Sequence, residues 1–232
     1  MVGAVGSSIL ADAAEAHFPE LRGSRVSLQI EWRQSPIVAV GEVANIRRYG
    51  EQLVDHLPWP ASPGVHKMYW CQGDFRVVAV VKGDLDARTR KYLWASGLEG
   101  CKLYENDPQM IASRYQTRAW FLREEGEFLR PAFDYGTHRF IGLCTRWEDG
   151  PPLPARDRLG ALLLDAAANC ATSDDFGGYF FQHIGDLACE VLGKAECVQR
   201  MRDLAQTGDA KLRTAYCDYL KWQQETTCTE SR

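Results

Sequence analysis

The chain has 232 residues, 45% hydrophobic and 25% charged, with a formal net charge of -4. This is the balance of an ordinary soluble globular protein, in one large domain or two small ones. It argues against a broadly basic nucleic-acid binder, and no run reaches the roughly 18 apolar residues of a membrane-spanning helix.

Residues 1–24 are rich in small side chains, and Ala11–Ala16 fits a short helix ended near Pro19. The first ten residues lack a basic n-region, and Asp12 and Glu15 follow at once, so no secretion signal is expected in them. That favours the cytoplasm unless an export signal lies outside this sequence. Val26, Leu28, Ile30 and Trp32 then alternate with polar residues, which predicts a half-buried strand over Arg25–Trp32. A second strand is expected over Ile37–Ile46, with Gly41 where it bends or bulges.

Leu57–Gly64 holds Pro58, Pro60, Pro63 and Gly64, which neither a central strand nor a helix accommodates. Residues 50–65 therefore read as a fixed surface loop carrying Trp59. Strand character returns at His66–Trp70, at Phe75–Val81 before the Lys82-Gly83-Asp84 turn, and at Arg90–Ala95. A helical turn over Asp107–Ser113 has Pro108 at its first position. Arg118–Arg123 and Glu127–Phe133 form a hairpin around Glu124-Glu125-Gly126, and Arg139–Trp147 adds a last strand.

Asp149-Gly150-Pro151-Pro152-Leu153-Pro154 reads as a linker, after which the apolar period changes from two to 3.6. Leu159, Leu162, Leu163 and Ala166 share one helix face, and Phe180, Ile184, Leu187 and Val191 another. Val198, Met201, Leu204 and Ala205 define a third, and Leu212, Ala215, Tyr216 and Tyr219 a fourth. Strands first and helices second predict an α+β chain: a β domain over 25–148, a helical domain over 155–224 and a tail over 225–232.

The eight cysteines include no Cys-x-x-Cys pair, so a closed zinc site is not expected. Cys170, Cys189, Cys197 and Cys217 lie in helical patterns beside Ala and Leu, where free cysteine acts as a small core side chain. Cys71 and Cys101 flank strands and are the better candidates for a bridge. The redox compartment stays open.

At Val38-Ala39-Val40-Gly41-Glu42-Val43, Phe75–Asp84 and Ala119-Trp120-Phe121-Leu122 the chain resembles the netrin-module and tissue-metalloproteinase-inhibitor-like barrels, over roughly residues 35–135. The resemblance implies an antiparallel OB-like β-barrel without chemistry of its own, whose rim and loops bind another protein or an envelope component. It implies an extracytoplasmic setting and disulfide pinning, with Cys71 and Cys101 as such a pair. The inhibitor branch uses an N-terminal cysteine at a catalytic zinc, whereas this sequence starts Met1-Val2-Gly3 and its first cysteine is Cys71, so that mode is not carried over. Cys197–Ala205 and Lys211–Leu220 resemble one HEAT-like helix pair. Solenoids need about three units, so a helical bundle capping the barrel, or a short helical repeat, is expected after the linker.

No catalytic motif is present, and no cofactor or metal is expected. His66 and Cys71 suggest a thiol–imidazole pair, with His138 as another base, but a separation of five puts two strand residues on opposite faces. Glu124, Glu125 and Glu127 crowd a hairpin tip where acids are normally solvated, and Asp174-Asp175 reads as a helix cap. Tyr69, Trp70, Trp94, Trp120, Phe121 and Tyr135 are expected mainly as barrel core. The expected function is protein binding through the barrel rim and the 50–65 loop, at Trp59, His66, Tyr69 and Trp70, with no nucleic acid and no membrane span. The alternatives are a cysteine-dependent hydrolase or thiol enzyme centred on Cys71, and a disulfide-stabilised structural envelope component. The oligomeric state is left open.

Overall fold

The computed structural model describes residues 28–54, 66–86, 89–96, 101, 117–132, 140–169, 177–208 and 210–223. The described chain is α+β, with six strands of one sheet and five helices. The helices are α1 (Leu28–Gln34), α2 (Ala155–Asn169), α3 (Gly177–Leu192), α4 (Lys194–Thr207) and α5 (Ala210–Trp222). The strands are β1 (Ile37–Val54), β2 (His66–Lys82), β3 (Thr89–Ser96), β4 (Thr117–Glu125), β5 (Phe128–Pro131) and β6 (Phe140–Leu143). The expected elements at Ala11–Ala16 and Asp107–Ser113 lie outside the described residues.

β1 pairs antiparallel with β2, β2 with β3, and β3 runs parallel to β5. β5 is antiparallel to β4, and β4 returns to β1 through Ile37↔Leu122 to Val40↔Ala119. The hydrogen-bonded circuit is therefore β1-β2-β3-β5-β4-β1, with β6 added along β4. β5 and β6 occupy the same edge of β4: Leu122 faces Pro131 and Trp120 faces Phe140, each also pairing with β1 on the other edge.

Alternation along these strands feeds two cores, because both faces of β1 and β4 are covered. Ile37, Ala39 and Val43 of β1 join Trp120 and Leu122 of β4 with Phe75, Tyr92, Trp94 and Leu129 in one cluster. Val38 and Val40 join Ala119, Phe121, Ile141 and Leu143 with the buried residues of α2–α5 in the other. Phe121 thus packs on the helices and away from the Trp94–Trp120 cluster, which corrects its expected place among those aromatics. The segment at 149–154 joins two parts of the same core: Trp147 before it and Leu159 after it belong to one cluster.

Four expectations change. Arg25–Trp32 was expected as a strand, yet its described part, Leu28 onward, is helix α1. Leu28 and Trp32 are also i and i+4, so the alternating run satisfies a helix equally well, and packing of α1 against α3 decides. Second, residues 50–54 are strand where a loop was expected, since β1 runs to Val54, which pairs with His66 at the start of β2; 55–65, including Trp59, lie outside the described residues. Third, His66–Trp70 and Phe75–Val81 are one strand. Fourth, Cys189 and Cys197 are bridged to each other, and Cys217 is also disulfide-bonded, so none of these is a free core thiol. Cys170 lies outside the described residues.

The Lys82-Gly83 turn locks α1 to the sheet. Lys82 Nζ donates to the carbonyls of Trp32 at 2.6 Å and Arg33 at 3.0 Å, capping the helix C-terminus with a cation. Gly83 has φ +79, and a Cβ there would stand 2.3 Å from the Pro36 carbonyl oxygen, so only glycine fits. Burial and the nearby Arg156 hold the Lys82 ammonium below its usual range.

Candidate binding surface on the β1–β2 hairpin

Aromatic rings of β2, β3 and β4 pack together in the core cluster that also holds Ile37 and Leu129. Tyr92 stacks on Trp94 at 5.3 Å, and Trp120 meets Tyr92 edge-on at 5.4 Å and Phe75 at 5.7 Å. Trp120 Nε1 donates to the Gly41 carbonyl at 2.8 Å, which satisfies the indole inside the cluster. The Tyr92 hydroxyl is buried without a hydrogen-bond partner, and burial pushes its pKa well above the ordinary phenol value. Cys71 and Cys101 are joined by a disulfide with a Cα–Cα distance of 5.5 Å, both fully buried beside these rings. Cys71 therefore carries no thiolate, and a thiol mechanism has no nucleophile there while the bridge stands.

Contact groups gather instead at the far end of β1 and β2. The pairing register shifts between Ala44 and Arg47, where Asn45 adopts φ 53 and its amide donates to Asp74 at 2.9 Å. Bulges of this kind bend a strand and increase its twist. Arg47 then donates twice to Gln72 Oε1, at 3.1 and 2.8 Å. Lys91 also bonds Asp74, and these donors, Lys91 first, hold the Asp74 carboxyl below the usual range.

Beyond the bulge, Arg48 lies over the Tyr69 ring at 4.7 Å, and Tyr49 meets Phe128 edge-on at 5.8 Å. Trp70 carries Arg130 over its ring at 4.9 Å, and Arg130, only 8% exposed, donates to Glu125 at 2.7 Å. Cation–aromatic pairs contribute roughly 0.5–2 kcal/mol, most where the cation is desolvated, as Arg130 is. Tyr49 is 56% exposed and, with Val78, is one of the exposed large hydrophobic side chains among the described residues.

Of the residues expected to bind, Tyr69 and Trp70 fall on this surface, both half-buried beneath arginines. His66 is at the hairpin end, its backbone paired with Val54, while Trp59, Tyr135 and His138 lie outside the described residues. Tyr49, Arg48, Phe128 and Arg130 were missed. The signal for Tyr49 was available, since Arg47-Arg48-Tyr49 interrupts an apolar strand with long contact-forming side chains. At the β4–β5 turn, Glu124 pairs with Arg90 at 2.7 Å and Glu125 with Arg130 and Arg123, so these acids are ion-paired. Asp174-Asp175 lie outside the described residues.

Among the described residues no three His, Cys, Asp or Glu side chains come together to hold a metal, and no helix is long and apolar enough to cross a membrane. Compared with known proteins, the chain matches no family model, no curated protein and no solved structure.

Proposed function

We propose that this chain is a binding module without chemistry of its own, in which a five-stranded OB-type barrel presents the β1–β2 hairpin to another protein. The barrel reading is supported by the closed pairing circuit and the parallel β3–β5 step, with the interior aromatics as its core. The netrin-like resemblance points the same way. The observation that carries the binding reading is the Tyr49–Phe128 pair, an exposed aromatic contact flanked by Arg48 on Tyr69 and Arg130 on Trp70. Aromatic residues and arginine are the types enriched at the centres of protein interfaces.

The module works in an oxidising compartment. Cys71, Cys101, Cys144, Cys189, Cys197 and Cys217 are all disulfide-bonded, a pattern proper to extracytoplasmic proteins. The same bridges favour the second reading, a disulfide-stabilised structural component of an envelope.

A photo-crosslinking amino acid at position 49, with a control at exposed position 206, separates the two in extracytoplasmic extract. The binding reading expects a discrete adduct at 49 alone, suppressed by excess unlabelled chain but not by excess Tyr49→Asp chain. Equal labelling at both positions, or adducts indifferent to the competitor, removes it.

A further inference from the structure

A groove of about 350 Å³ opens among α1, α3, α4 and α5, a volume at the lower end of small-ligand sites. Its floor is a hydrogen-bonded group of Asp186, Tyr219 and Gln223, with Gln29 and Val198 in the walls beside Cys189. The Tyr219 hydroxyl donates to Asp186 Oδ1 at 2.6 Å. Gln223 Nε2 donates to the same oxygen at 2.9 Å and to the Tyr219 hydroxyl oxygen at 3.1 Å.

These bonds fix which acceptors remain. The Gln223 amide nitrogen serves both of these acceptors, while its carbonyl Oε1 bonds no described residue. Asp186 takes both donors on Oδ1, and its Oδ2 has no hydrogen-bond partner among the described residues. The Gln29 carboxamide, on α1, likewise bonds no described residue, so its oxygen is a third acceptor on the groove. Glu190 in the wall is matched oxygen for oxygen by Arg33, at 2.8 and 2.7 Å. Lys194 adds an ammonium to the wall and has an interaction of its own. Asp186 is paired with no cation among the described residues.

We infer that this groove binds a primary alkylammonium, either a free amine or a lysine side chain of a partner. An ammonium brings three N–H donors and one positive charge to Asp186 Oδ2, Gln223 Oε1 and Gln29 Oε1. Its alkyl stem lies along Val198 and the Cys189–Cys197 bridge. A neutral alcohol leaves the carboxylate without a counter-charge, and a carboxylate ligand is repelled by Asp186. The site shares no residue with the β1–β2 hairpin, so its failure leaves the binding-module reading standing.

The test is saturation-transfer NMR on the oxidised full chain, with n-butylammonium chloride as probe and n-butanol and butyrate as charge controls. Saturable binding of butylammonium is expected, at least ten-fold tighter than either control. Asp186→Asn weakens it about ten-fold. Because Asp186 also anchors Tyr219 and Gln223, Gln29→Leu is measured beside it; this variant leaves those bonds alone and is expected to weaken binding several-fold. Near-UV circular dichroism establishes that each is folded, and Gln29→Leu decides where Asp186→Asn is not. Butanol binding as tightly as butylammonium, uptake that never saturates, or full affinity in the folded variants overturns the inference. Nα-acetyl-lysine methylamide against putrescine then tells the two sources apart: the tighter binder identifies partner lysine or free amine.

Discussion

Trp120 and Gly41 are bound across the β1–β4 seam, the indole N–H donating to the glycine carbonyl at 2.8 Å. The glycine is required by what faces it: a Cβ at 41 would stand 2.5 Å from the Arg76 carbonyl oxygen and 2.7 Å from Phe75 Cζ. Relief of glycine's chain entropy favours Gly41→Ala by at most about 1 kcal/mol. The overlap is with backbone on a paired strand, and overpacking of that kind costs about 1–3 kcal/mol, so the overlap wins. Gly41→Ala is expected to lower the urea midpoint with unchanged m. Gly50→Ala, on the same strand with nothing within 4 Å of the added carbon, is expected to leave it unchanged or raise it slightly.

The α2–α3 crossing is the second test of packing. A Cβ on Gly160 would meet Leu192 Cγ and Cδ2, both at 2.4 Å, and Cγ is not the far end of that side chain. Alanine is favoured over glycine in a helix by about 1 kcal/mol, less than the displacement of a packed leucine costs. Gly160→Ala is therefore expected to destabilise by about 1–2 kcal/mol in equilibrium urea unfolding. A more stable variant would mean that the two helices part at little cost.

Legibility followed burial. β1 and β4 were readable because both faces are covered, so Ile37–Val40 and Ala119–Leu122 form unbroken apolar runs. The helices α2–α5 were readable because a 3.6-residue apolar stripe faces one core. The hairpin arm from Arg47 was not, since the side chains of Arg47, Arg48, Tyr49 and Glu51 are exposed and the run into Pro58 suggested a loop. Helix α1 was misread because seven residues satisfy two periods at once. The bridge across the α3–α4 turn had a signal that went unused: Cys189 and Cys197 each stand four residues from Gly193, whose φ of 90 reverses the chain. Of the binding surface, Tyr69 and Trp70 could be named, but their arginine partners come from β1 and β5 and meet them only through the strand circuit.

The Cys71–Cys101 and Cys189–Cys197 bridges make unequal predictions. Closing the loop between Cys71 and Cys101, separated by 30 in sequence, removes denatured-chain entropy worth about 3.5 kcal/mol. The separation of 8 between Cys189 and Cys197 gives about 2.5 kcal/mol. Replacing each pair by alanines and comparing unfolding free energies should preserve that order. Thiol titration of the native chain should find no reactive Cys71, and a rapidly labelled Cys71 would restore the thiol-enzyme reading.

Acid should loosen α1. Arg33 grips Glu190 with two hydrogen bonds, and these, ahead of the charge itself, hold the Glu190 carboxyl below the usual glutamate range. A carboxyl depressed in the folded state stabilises fully above its unfolded pKa, about 4.3, and this is lost as pH falls through the lower folded value. Glu190→Gln should lower Tm slightly at pH 7, and the gap to the parent should close below about pH 4. A gap that persists into acid would assign the effect to packing.

Because Pro131 and Phe140 sit opposite Leu122 and Trp120, the chain leaves and rejoins one β4 edge across roughly 7 Å of strand. Ala132 N donates to the Phe121 carbonyl at 3.0 Å, fastening the departure point. Both attachment points are thus fixed by β4 itself, Leu122 and Phe121 holding the departure and Trp120 the return.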